Sequence, residues 1–391
     1  VTFDLSGAPA ALNETRQRRV LLPTELPPSL ELGGGHGFRP VHTLTGATMG
    51  TYWRARLVER PTAHSDDAAQ ANTILVKTFD EVVARMSPWE SESDLARFAR
   101  TPPGEWLTLS PEAAHVLARA LEVAELTGGA YSPALGEVTE LLGFGPGDPA
   151  TRHSIDSPQV RAARTRADYL LLEFDAARGA VRQRSDNSGS PNAPLHIDLC
   201  SIAKGYAVDL ASERLHAAGW HHHFIEIGGE ARGRGCKPDG QPWWCYLETP
   251  SATTDSQENA QSEVPSSVAG LCELAVATSG NAHHHFEDTA SGKLVGHILR
   301  PDDFEPQPAA NGDGKHSSAN AAPNSLHSVT VFATTCMEAD AWATALYALG
   351  PQRGLPLAEA QQLAARWLYL KQEPNHTLRE IATTQFQRLV D

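Results

Sequence analysis

LHIDLCSIAKGYAVDLASERLHAAGWHHHFIEIGG, residues 195–229, is the stretch that decides the fold. Leu195–Leu199 reads as a strand. The small residues Ser201, Ala203 and Gly205 then turn the chain into a helix expected from Ile202 to about Ala218, which Gly219 ends. A second short strand, His222–Ile227, follows and closes on Gly228-Gly229. Free amides at such a helix start attract phosphate, Gly205 permits close backbone approach, and Lys204 supplies a cation. The same residues also suit an ordinary strand-to-helix turn.

Upstream, Val41–Leu57 reads as a strand pair around Gly50. Asp67–Met86 places Ile74, Leu75, Phe79, Val82, Val83 and Met86 on the 3.6 period of an amphipathic helix, which Ser87-Pro88 ends. Ser110-Pro111-Glu112 is an N-cap with proline at the first helical position, and that helix stops at Gly128-Gly129. Gly143–Pro149 is turn-rich, and Tyr169–Phe174 is expected as a strand. Downstream, strands are expected within Leu274–Leu299 and at Val329–Thr334. A helix Met337–Leu349, a short helix Leu357–Ala365 and a strand Trp367–Leu370 complete the body. Helices and strands mix without regular βαβ alternation, which favours an α+β fold. Residues 1–40 read as an extended arm and 371–391 as a C-terminal tail, with the body at 41–370. Low-complexity insertions are expected near 250–267 and 302–325.

Composition removes several functions. The chain has 391 residues and a formal net charge of −15, with no Lys/Arg cluster, so nucleic acid is excluded as a partner. No apolar run is long enough for a transmembrane segment. The 5 cysteines include no CxxC pair, which argues against a zinc knuckle, and the odd number argues against a complete disulfide framework. Cys236, Cys245 and Cys272 fall in one region that has room for one bridge. No basic, apolar, small-residue leader is read in this chain, which begins at Val1, and the residues themselves determine the compartment only weakly.

Thr335 and Glu338 form a capping box, so a helix should begin there. Asp340 and Thr344 are then four apart on one face. A carboxylate and a hydroxyl are hard oxygen donors that suit Mg²⁺, although an Asp in a first turn also serves the helix dipole. Glu226-Ile227-Gly228-Gly229-Glu230 allows a sharp turn or a close ligand. His297, in Gly296-His297-Ile298-Leu299-Arg300, is a residue able to act as a base near neutral pH. Met49 and Trp89 are able to pack on a flat aromatic ring. His221–His223 and His283–His285 are not read as metal sites, because adjacent residues on a strand face opposite ways.

Taken in order, these segments resemble the ApbE family of FAD:protein FMN transferases. The matching pieces are Gly46–Thr51, Met86-Ser87 with Ser93–Leu95, Thr127–Tyr131 with Gly143–Gly145, Asp198–Asp209, Ile227–Gly229, Thr278–Gly280, His297-Ile298, and Ser328 through Asp340 to Thr344. The resemblance implies a tunnelling-fold-related, two-lobed α+β body with FAD in the cleft between lobes. It implies transfer of FMN from FAD to a Thr or Ser hydroxyl of an acceptor flavoprotein of a respiratory or redox complex, with release of AMP. Mg²⁺ would be held by Asp340, Thr344 and the backbone oxygens of Ala203 and Ala343. The flavin pocket would involve Met49, Trp89, Ala130, Tyr131, Ser132, Cys200, Tyr206 and Leu299. His297 matches a histidine beside the pyrophosphate, and His297 or Asp340 would help remove the acceptor's proton. A periplasmic or exported location is expected on the same ground.

Three positions depart from the family's pattern. Ser132 stands where Asp is usual, Arg300 precedes Pro301 where Asp is typical, and Trp89 replaces Tyr or Phe. A change of Ser132 to Asp is expected to alter rate or flavin affinity without disrupting the fold. An Mg²⁺-dependent FAD pyrophosphatase and a non-catalytic flavin-binding or delivery protein are the alternatives these departures raise. Thr45-Gly46-Ala47-Thr48 resembles an acceptor sequence, Asp-Gly-x-x-Thr-Gly-Ala-Thr, but His42 and Thr43 supply no upstream acid.

Overall fold

A computed structural model describes residues 19–23, 39–61, 66–184, 194–247, 264–280, 285–300, 324–371 and 377–390. The chain forms two compact units: Val1–Thr78 with Lys204–Ser279 and Asp313–Asp391, and Phe79–Ala203 with Gly280–Gly312.

The first unit is built on an eight-stranded sheet. In spatial order its strands are Thr377–Ala382, Ala364–Lys371, Asn324–Ala333, Leu274–Gly280, Glu230–Arg234, His223–Ile227, Thr51–Val58 and Val41–Thr48. The hairpin Val41–Val58 turns on Met49 and Gly50, both at positive φ (49° and 72°). Those signs fit the turn that matches strand twist. Gly46 lies opposite Trp53, and a Cβ there would meet the indole nitrogen at 2.6 Å. The acceptor-like Thr45–Thr48 is therefore paired strand.

Helix Cys336–Leu349 follows the strand Asn324–Ala333, and its Trp342 and Leu346 are buried. The Trp367 indole N–H donates to the Leu346 carbonyl at 3.2 Å. Gly350 (φ 69°, ψ 170°) kinks the chain, so the second helix runs from Pro351 to Ala360 rather than Leu357–Ala365. Proline fits its first turn, where no amide is needed. A second, three-stranded sheet joins Arg19–Leu21, Ser267–Leu271 and Trp243–Leu247.

Two expectations at the chain ends are corrected here. Part of the N-terminal arm is a strand, because Arg19–Leu21 pairs in parallel with Ser267–Ala269. The C-terminal tail contains the strand Thr377–Ala382 and the helix Thr384–Arg388. Arg19 ties these pieces together by bonding Glu380. The expected insertions lie mostly outside the described residues.

The second unit carries the helices Asp94–Arg100, Pro111–Leu126, Gly136–Leu141 and Pro158–Arg166. Ser110 caps the longest, accepting from the Ala113 amide at 3.3 Å, and Gly128 and Gly129 end it at positive φ. Its Val116, Leu117, Ala120, Val123 and Ala124 are fully buried. Each of the larger ones contributes roughly 1.5–3 kcal/mol. Two strand expectations fail here. Tyr169–Leu171 is a 3₁₀ turn capped by Asp168, and the strand begins at Leu172. Leu195–Leu199 forms no strand: its Asp198 N–H donates to the distant Pro133 carbonyl at 2.8 Å instead of to a ladder.

In the first unit, His223 is wholly buried on its strand. Its Nδ1–H donates to the Trp220 carbonyl (2.8 Å), and its Nε2 accepts from the Ser212 hydroxyl (2.7 Å). Burial drives its pKa down to about 3. The unfolded chain therefore takes up this proton below about pH 6.5 while the fold refuses it. The stability it contributes is present above pH 6.5 and is lost as pH falls toward 3, at about 1.4 kcal/mol per pH unit. Urea unfolding at pH 7 and pH 5 should show a steeper acid loss in the parent than in His223→Gln, by about 2 kcal/mol.

Candidate active site

In the first unit the chemistry gathers where helix Ala203–Ala217 meets the start of helix Cys336–Leu349. Thr335 caps the latter, accepting from the Glu338 amide at 3.4 Å as the capping box requires. Asp209 accepts from the amides of Cys336 (2.9 Å) and Met337 (2.8 Å) and from Arg232 (2.7 Å). Burial raises the Asp209 pKa, and Arg232 opposes that. Asp340, 3% exposed, accepts from the Gly205 amide at 2.9 Å. Only glycine fits at 205, because a Cβ would lie 2.3 Å from the Cys336 carbonyl oxygen.

Two further groups complete this corner. Glu230 is buried; its Oε1 accepts from Lys204 Nζ at 2.7 Å, and among the described residues its Oε2 has no partner. Thr344 shares a hydrogen bond with Ser279 at 2.9 Å. Burial first, and the Glu230 charge second, push the Asp340 carboxyl well above the carboxylate range, with Lys204 opposing. Two buried carboxylates thus share one ammonium, with a carboxylate oxygen to spare. Such a corner is short of positive charge, and its donors are hard oxygens, as Mg²⁺ prefers. Among the described residues no three His, Cys, Asp or Glu side chains converge on a metal position, so any cation here would rely on hydroxyl and backbone oxygens as well. Ala343 is buried on the same helix, and Ala203 opens the helix that carries Lys204 and Gly205. Glu230 was visible in the sequence only as the end of a diglycine turn; nothing local marks it as a neighbour of Asp340.

In the second unit an open pocket is lined by Trp89, Phe144, Ile197, Asp198, Cys200 and His297, among others. Trp89 is 56% exposed and lines this pocket, which leaves a flat indole surface open to a ligand. Phe144 meets the His297 ring edge-on at 6.3 Å between centroids. Asp198 shapes the turn: its Oδ1 accepts from the Cys200 amide (2.8 Å) and its Oδ2 from the Thr139 hydroxyl (3.2 Å).

The remaining expected residues lie as follows. Ala130 and Tyr131 are buried in the second unit, and the Tyr131 oxygen accepts from the Ser201 hydroxyl at 2.9 Å, bracing the same turn. Leu299 packs against the core of Leu135, Val138 and Ile155. Met49 and Tyr206 belong to the first unit. Met49 holds a left-handed backbone conformation that costs a non-glycine residue roughly 1–2 kcal/mol. Arg300 ends a described segment, and Pro301 lies outside it. All five cysteines are thiols, so the bridge considered for Cys236, Cys245 and Cys272 is not formed.

Ser132 is buried and fully used: its hydroxyl donates to the Ala167 carbonyl (3.0 Å) and accepts from the Ala134 amide (3.2 Å). This environment revises the expectation that Asp is tolerated there. A carboxylate would keep the second bond but set its charge against the Ala167 oxygen. Chemical denaturation should show Ser132→Ala costing about 1 kcal/mol and Ser132→Asp costing more, up to ~3 kcal/mol.

Similarity to known proteins extends over most of the chain. The chain is 30% identical over 322 residues to the FAD:protein FMN transferase of Vibrio cholerae, covering 82% of this chain and 85% of that protein. It is 30% identical over 328 residues to the enzyme of the same name from Haemophilus influenzae, covering 83% and 85%. The apo crystal structure of the Pseudomonas stutzeri flavinyl transferase ApbE superposes with a TM-score of 0.71 at 27% identity, covering 90% of this chain and 97% of that one. The ApbE family model matches residues 49–367, a span that holds both the Asp340 corner and the Trp89–His297 pocket, and the chain belongs to the ApbE family.

Proposed function

We propose that this protein is an FAD:protein FMN transferase that moves FMN from FAD to a Thr or Ser hydroxyl of an acceptor flavoprotein. The acceptor oxygen forms a bond to the flavin-side phosphorus, the pyrophosphate P–O bond breaks, and AMP leaves. The observation that carries this reading is the buried Asp340–Glu230–Lys204 corner, with a carboxylate oxygen that has no partner among the described residues, in a member of this family.

We assign Mg²⁺ to the Asp340 carboxylate, the Thr344 hydroxyl and the backbone oxygens of Ala203 and Ala343. When bound, the ion supplies positive charge against the charge that develops on the transferring and leaving phosphates. The protein's own residues do the rest. Gly205 aims the Asp340 carboxylate by donating to it. Glu230 holds Lys204 Nζ at a fixed position beside that carboxylate. Trp89 and Phe144 offer flat apolar surface to an aromatic ring. His297, in the same pocket, is the residue we assign to accept the hydroxyl proton of the acceptor. An acceptor belonging to a respiratory or redox complex, and a periplasmic or exported location, are proposed on resemblance alone.

Incubation with FAD, Mg²⁺ and an acceptor domain bearing Asp-Gly-x-x-Thr-Gly-Ala-Thr, read by intact mass, tests the proposal. The expected result is a gain of one FMN on the acceptor that EDTA prevents. Release of free FMN without that gain would replace transfer by hydrolysis. Asp340→Asn keeps an acceptor for the Gly205 amide but removes the charge. Its transfer rate should fall at least on the order of 100-fold, because even outer-shell changes at metal sites cost 10–100-fold. Its melting temperature should stay near that of the parent.

A further inference from the structure

The wall of the Trp89–His297 pocket contains two carboxylates, Asp198 and Glu140, and they differ in one respect. Both oxygens of Asp198 accept bonds within the protein. Glu140 uses only one: its Oε2 accepts from His196 Nδ1 at 2.9 Å. Among the described residues its Oε1 accepts none, and the side chain is 29% exposed. The dyad is held firmly. The Gly136 amide, at the start of the helix carrying Glu140, donates to the His196 carbonyl at 3.0 Å. A Cβ at Gly136 would lie 2.6 Å from that same oxygen, so the two segments are in close register.

An ionised carboxylate only accepts hydrogen bonds. A neutral part of a ligand that meets Oε1 must therefore present an N–H or O–H, and a phosphate is disfavoured there. On the reading of FAD as the substrate, on which this step rests, we infer that Glu140 is a specificity-determining residue of the pocket. It accepts a hydrogen bond from a neutral N–H or O–H of FAD, and His196 is the positioning residue that aims it.

The charges around His196 give this arrangement a pH signature. Glu140 and Glu137 face it from helix Gly136–Leu141, and Arg166 faces it from helix Pro158–Arg166. Arg166 is engaged with Glu137 at 2.6 Å, which leaves Glu140 as the main partner of His196. The Glu140 hydrogen bond, more than any other influence, raises the His196 pKa; burial opposes it. Below that raised value His196 is cationic and balances Glu140. Above it the balance is lost, and a bare negative charge faces a ligand that carries a pyrophosphate. FAD binding should weaken as pH rises from neutrality to 9.

The test is a set of fluorescence-quench and calorimetric titrations with FAD, riboflavin and AMP, from pH 6 to 9, on the full chain. Glu140→Leu should weaken FAD about tenfold or more, the scale of a lost charged hydrogen bond. It should weaken one fragment equally and spare the other, which tells the flavin half of the ligand from the adenosine half. Glu140→Gln keeps an acceptor: its FAD affinity at pH 7 should stay within about threefold, and its pH dependence between 7 and 9 should be flat. Unchanged FAD affinity in Glu140→Leu, loss of FAD affinity with neither fragment affected, or an unchanged pH slope in Glu140→Gln would overturn the inference alone. Failure of the parent to bind FAD would instead overturn the transferase reading, and this inference with it.

Discussion

Two helices that cap each other set the geometry of the first unit's site. Asp209, on helix Ala203–Ala217, takes the first two amides of helix Cys336–Leu349. Asp340, on the second helix, takes the Gly205 amide in the first turn of the other. Helix N-termini carry unpaired donors and partial positive charge, so each carboxylate satisfies a need that its neighbour's backbone creates. The exchange works only at close range, and a side chain at 205 would prevent it. Lys204 is fixed in place by its neighbourhood to Gly205, and Thr344 by its position one turn after Asp340. Both therefore inherit their location from this mutual capping.

The strain in that corner is electrostatic rather than conformational. Asp209 has Arg232 as a partner, but Asp340 and Glu230 divide a single Lys204 between them. Burying charge without full compensation is expensive, and a chain that sustains the expense gains a site already shaped for a cation. The pocket of the second unit follows the opposite logic. Of its two acids, Asp198 accepts a bond on each oxygen from the turn it braces, and most of the exposed surface is apolar.

What could be read from the sequence was what local rules determine. The Thr335 cap, the Asp340–Thr344 face, the hairpin at Gly50 and the helix stop at Gly128-Gly129 each depend on residues within one turn of each other. Failures came where distant groups decide. Leu195–Leu199 has strand-like residues, yet its amide at Asp198 is taken by Pro133, so no ladder forms there. Thr377–Ala382 is too polar and too isolated to announce itself. It is a strand because Ala364–Lys371 offers it an edge and Arg19 reaches Glu380 from the far end of the chain. Glu230 and Glu140 escaped for the same reason: their significance lies in what stands opposite them. Ser132 was legible as a departure, but its meaning was not, because the Ala167 carbonyl that occupies it is 35 residues away.

The cysteines have a practical consequence. Four of the five are buried, and burial pushes Cys245 up to about 12, Cys272 to about 11 and Cys336 well above the thiol range. Alkylating reagents attack the thiolate, so burial and the raised pKa both slow attack at Cys245, Cys272 and Cys336 in the folded protein. Cys200 alone is exposed, and it lines the pocket of Trp89 and His297. The protein thus carries a natural single-site labelling handle, and its rate of modification would serve as an internal gauge of whether that pocket is filled.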